Sequence, residues 1–429
     1  MSNLPKSVVI VGGSLAGLLH GLYLKRHGSN VVILEQDPNS IRSSHQAGIA
    51  FGPAVQEILA KYDDTGMQSC IPATSTRIAY RRSWELSLNI ARRLTSWGLL
   101  YRTLRANFDG LASEAVPNPP PPRAGDGKAE YRSGKKVTDL RYDNGVITIS
   151  FVSQDGTEDS LTADLVIGAD GLHSTVRTLL QAPTVKEYSG YVSWRGTVPE
   201  KDLPPATVQY FSNRPTLSFL KGTYLVCYPI PPDTGTFTPG TLLLNWVWYC
   251  PPSKGDLPTL LTDRTGHTHS NTVPAGLINP AIWASQLAST LESMPPPVAT
   301  LLSSTKPSAV FVTKVNDALC ERAVFCDGKV VLVGDALVTF RPHVAVATEH
   351  AARHCLGLGR VWGQEHEEGK GVVMMTMGEW EREVRGYGER VWMASRVLGV
   401  WGVGGWWEFW GVVWGFVRIL VGGLLRGRR

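Results

Sequence analysis

The chain has 429 residues, with 42 Lys and Arg against 37 Asp and Glu, giving a formal net charge of +5. Hydrophobic residues make up 43% and charged residues 18%, which excludes a disordered or collagen-like chain and leaves core for roughly two or three domains. The charge surplus is too small to argue for nucleic acid, and the six cysteines show no C-x-x-C pair or metal-ligand spacing, so they read as reduced thiols of a cytoplasmic protein with no metal site.

Residues Met1 to Ser7 lack the apolar run and small-residue cleavage site of a secretory signal. The β-branched run Val8 to Val11 predicts a buried strand that enters the turn Gly12-Gly13-Ser14-Leu15-Ala16-Gly17. Leu18, Leu19, Leu22 and Leu24 then mark an amphipathic helix ending near Gly28, and Val31 to Leu34 form a second strand that closes on Glu35. Strand, glycine turn, helix, strand and acid make the βαβ unit of a doubly wound α/β domain. Residues 77–105 read as largely helical and carry seven Arg against the single acid Glu85. A solvated helix face is favoured there over steering of an anionic nicotinamide or acidic substrate.

Pro117 to Pro122 is a loop, while Asn144-Gly145 and Asp155-Gly156 signal two hairpins of a β-meander. Ala163 to Ala169 predicts a buried strand entering Asp170-Gly171. Between Lys186 and Asp317 short β-rich pieces (Tyr191 to Val198, Thr223 to Pro229, Thr241 to Tyr249) alternate with Pro-containing turns, predicting a separate sheet domain. Lys329 to Val333 returns to a buried strand ending at Gly334-Asp335-Ala336. The division drawn from these textures is 1–185, 186–320, 321–390, and an apolar Trp/Gly-rich tail over 391–429.

The first glycine turn carries a physical mechanism. Gly12 permits the tight turn, Gly17 permits close helix–strand packing, and the helix N-terminus offers free N–H groups to a pyrophosphate. Ser14 stands where the fingerprint has its middle glycine, and Gly13, Leu15 and Ala16 complete the turn. Glu35 is placed to take ribose hydroxyls and would repel a 2′-phosphate, which fits NAD or FAD.

Two further stretches separate those cofactors. Gly168-Ala169-Asp170-Gly171-Leu172-His173-Ser174-Thr175-Val176-Arg177 and Val333-Gly334-Asp335-Ala336 resemble the second and third signatures of the single-component FAD-dependent aromatic hydroxylases, the para-hydroxybenzoate hydroxylase family. Tyr188 to Gly196, Tyr228 to Pro231, Asn245 to Tyr249, Asn271 to Pro274, Arg341-Pro342-His343 and Thr95-Ser96-Trp97 resemble its 2,6-dihydroxypyridine 3-hydroxylase branch. The resemblance runs from about residue 7 to 360. It departs after the third signature, where Leu337-Val338, Pro342, Ala345, Ala347 and Glu349 replace an Ala-His pair and a Gly-rich turn.

The resemblance implies a Rossmann-type FAD-binding domain with a parallel sheet and β-meander, plus a β-sheet-based substrate domain. It implies FAD held by Gly12, Gly13, Ser14, Leu15, Ala16, Gly17, Glu35, Asp170, Gly171, Gly334, Asp335, Ala336 and Pro342. NADH or NADPH would reduce the flavin, and O2 would yield a C4a-hydroperoxide that hydroxylates a small phenol or hydroxypyridine, with or without decarboxylation. The same fold also hosts flavin epoxidases, oxidases and catalytically degenerate flavin-binding proteins. Deprotonation of the substrate hydroxyl needs a base in hydrogen-bond reach, for which the matched motifs offer His343 first, then Tyr191, Tyr228 and His45. For each, a structural histidine or a core tyrosine is the competing account.

Fourteen Trp stand out. Trp194, Trp246 and Trp248 alternate with strand period and read as sheet core in preference to a pocket wall for the substrate. Six more Trp crowd into 392–414, with Arg426, Arg428 and Arg429 at the end. Glu408 and Arg418 keep the apolar runs below the ~18 residues a spanning helix needs, and the glycine spacing argues against a soluble helix. The tail is either a peripheral membrane contact through 397–425 or a segment packed over the protein's own core or a homodimer interface.

Overall fold

A computed structural model of the chain describes residues 4–42, 44, 46–252, 256–367, 371–372 and 374–404. The first strand β1 (Ser7–Val11) and β2 (Asn30–Leu34) flank α1 (Leu15–Arg26). The helix buries its leucines because Gly17 lets it lie directly on the Gly12 carbonyl. Next come β3 (Gly48–Phe51), α2 (Pro53–Tyr62), β4 (Ile71–Ala73), β5 (Thr76–Tyr80), β6 (Trp84–Leu88) and β7 (Arg92–Ser96), before α3 (Trp97–Asp109).

The helix expected over 77–105 is therefore corrected to three strands and α3 alone. Thr76–Tyr80 and Trp84–Leu88 pair as a hairpin, with Arg81 at φ 49° reversing the chain between them. The arginines do not share a face. Arg77 lies 3.9 Å over the Tyr210 ring, Arg102 pairs with Asp233 at 3.2 Å, and Arg105 pairs with Asp109 at 2.8 Å.

The chain continues through β8 (Ala129–Arg132), β9 (Lys135–Asp143), β10 (Val146–Ser153), β11 (Glu158–Ala163), β12 (Leu165–Gly168) and α4 (Thr175–Leu179). Asn144 and Gly145 both take positive φ, 48° and 80°, as the twist of a two-residue hairpin requires. Then follow β13 (Thr184–Pro199), α5 (Pro205–Phe211), β14 (Thr216–Phe219), β15 (Tyr224–Ile230), β16 (Leu243–Cys250) and α6 (Leu257–Leu260). After these come β17 (Thr272–Val273), α7 (Pro280–Ala288), α8 (Pro296–Ser303) and β18 (Phe311–Cys320). The remainder is β19 (Val324–Phe325), β20 (Val330–Leu332), β21 (Val338–Thr339), α9 (Ala347–Val361), β22 (His366–Glu367), β23 (Gly371–Val372) and α10 (Met377–Val403).

Two large sheets organise these elements. A six-stranded sheet runs β19-β20-β12-β1-β2-β8, and all its pairings except β19–β20 are parallel. Its strands β1, β12 and β20 point their C-terminal ends at the three motifs Gly12-Gly13, Asp170-Gly171 and Gly334-Asp335. A nine-stranded sheet runs β17-β18-β13-β16-β15-β14-β5-β6, with β21 pairing β18. Thus β5 and β6, from residues well before 186, complete the second sheet. The strands β9, β10 and β11 form a separate meander.

Register on the nine-stranded sheet separates core from cavity. Trp194 opposes Trp248, and Gly196 opposes Trp246, on one face. All three tryptophans are fully buried there, with the Trp283 ring 5.5 Å from Trp194 and Trp246 and 6.4 Å from Trp248. This overturns the pocket-wall alternative: strand parity sends Tyr191, Ser193, Arg195, Val247 and Tyr249 to the other face.

The glycines of the late segment do not prevent a helix. Helix α10 starts on a Thr376/Glu379 capping box and runs through Gly399 and Gly402 to Val403. Those glycines face packing partners, not solvent. A Cβ at 399 would strike the Tyr191 hydroxyl and come within 2.7 Å of His343 Nε2, and one at 402 would lie 2.5 Å from the Tyr224 ring. Close approach to the sheet outweighs the low intrinsic propensity of glycine. Residues 405–429, which hold most of the tail, lie outside the described residues. Among the described residues no helix is long and apolar enough to cross a membrane.

Candidate active site

The nucleotide end is a cavity of about 340 Å³ that brings together Gly12, Ser14, Glu35, Asp170 and Gly171. Gly12 takes φ 102°, and a Cβ there would meet the Ala169 carbonyl at 2.5 Å, so only glycine serves. Ser14 is the N-cap of α1 without spending its side chain on the helix, which leaves the first-turn N–H groups free. Glu35 accepts from Gly13 N–H at 2.8 Å and lies 3.3 Å from the Arg42 guanidinium. Leu15 is buried, Gly17 packs on the Gly12 carbonyl, and Ala16 Cβ reaches the position of a Cβ on Gly334 at 3.0 Å.

Asp170 has a visible local duty. Its carboxylate accepts from Ser174 Oγ at 2.5 Å and from the backbone N–H groups of Thr175 and Val176 at 2.6 and 3.1 Å, which anchors the N-terminus of α4. Burial raises its pKa against those hydrogen bonds. The neighbouring Arg177 donates to the Ala336 carbonyl at 2.7 Å, so the second and third motifs are tied directly.

A second cavity, of about 420 Å³, opens between the two sheets. Asp335 and Pro342 line it from the dinucleotide side. The Asp335 carboxylate has no hydrogen-bond partner among the described residues, and burial pushes its pKa up to about 6. Gly334 takes φ 55°, and its N–H meets His354 Nδ1 at 3.2 Å. Ala345 stands left-handed at φ 50°, where the related signature has glycine. A non-glycine residue there costs about 1 kcal/mol, and the turn keeps its shape. Glu349 reaches across from α9 and accepts from Gly52, Ala54 and Val55 N–H at 3.1, 3.0 and 3.3 Å, capping α2 where Gly52 has no side chain to do so.

The far wall is the cavity face of the nine-stranded sheet. Tyr228 and Tyr249 line it beside Arg195 and His343. His343 Nε2 bonds the Tyr191 hydroxyl at 2.5 Å, and Nδ1 bonds the Tyr224 hydroxyl. Burial lowers the His343 pKa to about 3, with Arg341 and Arg195 adding to the shift, so the imidazole is neutral at working pH. Burial pushes Tyr191 and Tyr228 up to about 12, keeping both phenols protonated. Of the four candidate bases, His343 and Tyr191 are bonded to each other, Tyr228 lies on the same cavity, and His45 lies outside the described residues.

The turn bearing His343 is held from below. Arg341 donates to Asp317 at 2.6 Å, and Arg396 and Trp392 of α10 donate to the same carboxylate at 2.8 and 3.1 Å. Asp317 is fully buried.

Comparison with known proteins agrees with this geometry. A family model described as FAD binding domain-like matches residues 188–317. The 2,6-dihydroxypyridine 3-monooxygenase of Paenarthrobacter nicotinovorans is 30% identical over 372 residues, covering 86% of this chain and 85% of that protein. The chain belongs to the FAD-dependent aromatic hydroxylases. Within that family, the 6-hydroxynicotinate 3-monooxygenase of Pseudomonas fluorescens is 27% identical over 389 residues, 86% of each chain. The solved 2,6-dihydroxypyridine-3-hydroxylase of Arthrobacter nicotinovorans superposes with a TM-score of 0.75 at 28% identity, over 94% of each chain.

The sequence of this hydroxylase did not mark Tyr224, Asp317 or Arg396 as site residues, and its motifs contained Tyr249 and Arg195 without a role. Strand parity was the usable signal for Tyr249 and Arg195, since both share the phase of Tyr191. For Asp317 and Arg396 no local signal exists, because they meet across 79 residues of sequence.

Proposed function

We propose that this hydroxylase uses NADH or NADPH and O2 to hydroxylate one small electron-rich aromatic ring, a phenol or hydroxypyridine. The observation that carries the reading is the single cavity joining Asp335 and Pro342 to the tyrosine- and arginine-lined sheet face. Its 420 Å³ lies at the small end of ligand pockets and has to serve both the flavin ring and the substrate. The residues present fit FAD: a glycine cradle at Gly12, an open helix N-terminus at Ser14, and an unpartnered Asp335 carboxylate facing the cavity. Gly12, Gly13, Ser14 and Glu35 would hold the adenosine diphosphate portion, and Asp170, Gly171, Gly334, Asp335, Ala336 and Pro342 the remainder. When bound, FAD supplies the electron transfer and oxygen activation.

The chain's own residues position the ring and exclude water. Tyr228 and Tyr249 present protonated hydroxyls to the ring. His343, neutral and bonded on both nitrogens, has no free lone pair for a substrate proton. It is held between Tyr191 and Tyr224, accepting on one nitrogen and donating from the other, which fixes the orientation of an imidazole that lines the cavity. Trp283 and the three sheet tryptophans keep the strand backbone rigid behind the cavity.

The test is the visible spectrum of purified protein, followed by NADH and NADPH oxidation with 2,6-dihydroxypyridine, 6-hydroxynicotinate and a panel of phenols. Substrate-stimulated oxidation that yields a hydroxylated ring supports the reading. Peroxide release without product for every ring tested sinks it in favour of an oxidase, and absence of bound flavin sinks it altogether.

A further inference from the structure

The cavity face of the nine-stranded sheet does not end at the cavity. Beyond Tyr224 of β15 it continues over β14, β5 and β6, and strand pairing carries an apolar row along it. Tyr224 opposes Phe219, Phe219 opposes Tyr80, and Tyr80 opposes Trp84, while Ile78 lies between Leu217 and Leu86. Parity sends Glu85 and Ser87 of β6 to the other face. The end of α10 covers the first half of this row. Val403 is buried in one cluster with Tyr191, Phe219 and Tyr224, and the Trp401 ring lies 4.5 Å from that of Phe219. The second half lies open among the described residues: Tyr80 is 38%, Leu86 49% and Trp84 51% exposed, and Trp401 itself is 52% exposed. A run of half-exposed aromatic and aliphatic side chains on an edge strand marks a surface that something covers.

The chain that follows α10 has the reach and the composition to be that cover. The last described residue is Gly404, next to the covered half of the row, and residues 405–429 follow it. From Phe219 to Trp84 is two strand spacings, roughly 10 Å, which about three or four extended residues span. Residues 405–417 hold Trp406, Trp407, Phe409, Trp410 and Trp414, and their single charged residue is Glu408. The tip of the β5–β6 hairpin offers the opposite charge in Arg81, which is exposed.

We infer that residues 405–417 of this chain dock on the open face of β5 and β6, with their aromatic side chains over Tyr80, Trp84 and Leu86. The segment continues the cover that α10 begins at Phe219 and Tyr224. It also holds down the last turns of that helix, whose Gly399 and Gly402 lie on His343 and Tyr224.

Photo-crosslinking of the full flavin-loaded chain tests the docking. The photoreactive residue p-benzoylphenylalanine takes the place of Trp84, and light and isotope-labelled chains are mixed before irradiation. Digested peptides are then read by mass spectrometry, with and without vesicles of phosphatidylcholine and phosphatidylserine. The expected result is adducts joining position 84 to peptides from 405–417 within light chains and within labelled chains, without mixed adducts and unchanged by vesicles. Mixed adducts assign the face to a second copy, and replacement of the adducts by lipid ones assigns it to a membrane surface. Either result overturns the inference, as does the absence of any adduct to 405–417. A second measurement is independent of the photoreactive residue. Trp84→Glu combined with Leu86→Glu should speed chymotryptic cleavage within 405–417 by roughly tenfold or more with flavin retained, because the segment loses its apolar seat. Ser87→Glu, on the opposite face of the same strand, should leave that cleavage at the wild-type rate. Equal cleavage in the two variants overturns the inference.

Discussion

Gly399→Ala tests whether α10 sets the geometry of His343 between Tyr191 and Tyr224. The added methyl would sit 2.7 Å from His343 Nε2 and 3.0 Å from Cδ2, as well as against the Tyr191 hydroxyl, whereas ordinary contact begins at 3.4 Å. The His343 ring would have to give way by about 0.7 Å and the Tyr191 hydroxyl by more, or α10 must lift off both. Alanine in a helix gains about 1 kcal/mol over glycine, while overpacking costs about 1 to 3 kcal/mol, so stability should fall by up to about 2 kcal/mol. Activity should suffer more, because a misplacement of about 1 Å in a catalytic array costs up to about a hundredfold. We expect turnover to drop about tenfold or more, with a larger share of reducing equivalents lost as peroxide. Gly386→Ala is the control in the same helix: its Cβ would meet Arg390 Nη1 at an ordinary 3.5 Å. It should gain up to about 1 kcal/mol and leave turnover unchanged. Thermal melts and product-coupled kinetics on both variants check the pair. A Gly399→Ala protein that is stabilised like Gly386→Ala and turns over at the full rate would refute the reasoning.

Other expectations follow from buried charges and packing. Burial lowers the pKa of His20 to about 4 and that of His350 to about 3, as for His343. Their neutral folded forms therefore stabilise the protein fully above about pH 6.5, and each loses about 1.4 kcal/mol per pH unit below it until the folded pKa is reached. Denaturant melts at pH 7.5, 6 and 5 should show that steepening loss, and a flat profile would remove the histidines as its cause. Asp317→Asn leaves Arg341 and Arg396 without their shared carboxylate, which should cost about 3 to 5 kcal/mol and lower flavin retention, measured by gel filtration of the holoprotein. Trp283→Ala empties the contact behind three buried tryptophans and should cost about 3 to 5 kcal/mol, yet leave the affinity for the aromatic substrate within about threefold, since the cavity is on the opposite face.

The parts of the site legible in the sequence are those whose chemistry is local. A buried strand running into Gly12-Gly13, a helix start at Ser14 and an acid at Glu35 occupy one continuous stretch, and the tight turn needs glycine whatever surrounds it. The Asp170-Gly171 and Gly334-Asp335 turns are equally local, each ending a buried strand, and all three lie at the C-terminal ends of adjacent strands of one sheet. Parity along β13 and β16 also resides in the sequence, although which face meets the cavity does not.

Tertiary structure decided the rest through competition between local preference and long-range contact. Arginine-rich residues 77–105 have acceptable helical composition, but pairing of β5 with β14 and β6 gave Thr76–Leu88 an extended solution. Glycines 399 and 402 weaken an isolated helix, and inside the protein they let α10 settle onto His343 and Tyr224. Asp317 looks like any strand aspartate until Arg341 and Arg396 meet it. Arg195, on the cavity face, bonds Ser193 Oγ at 3.4 Å and meets no carboxylate among the described residues. The sequence by itself determined which strands, turns and cofactor cradle this protein would build, because those follow from neighbouring residues. Only the folded chain determined which charges are paired and which remain open to a ligand, because pairing depends on groups far apart in sequence.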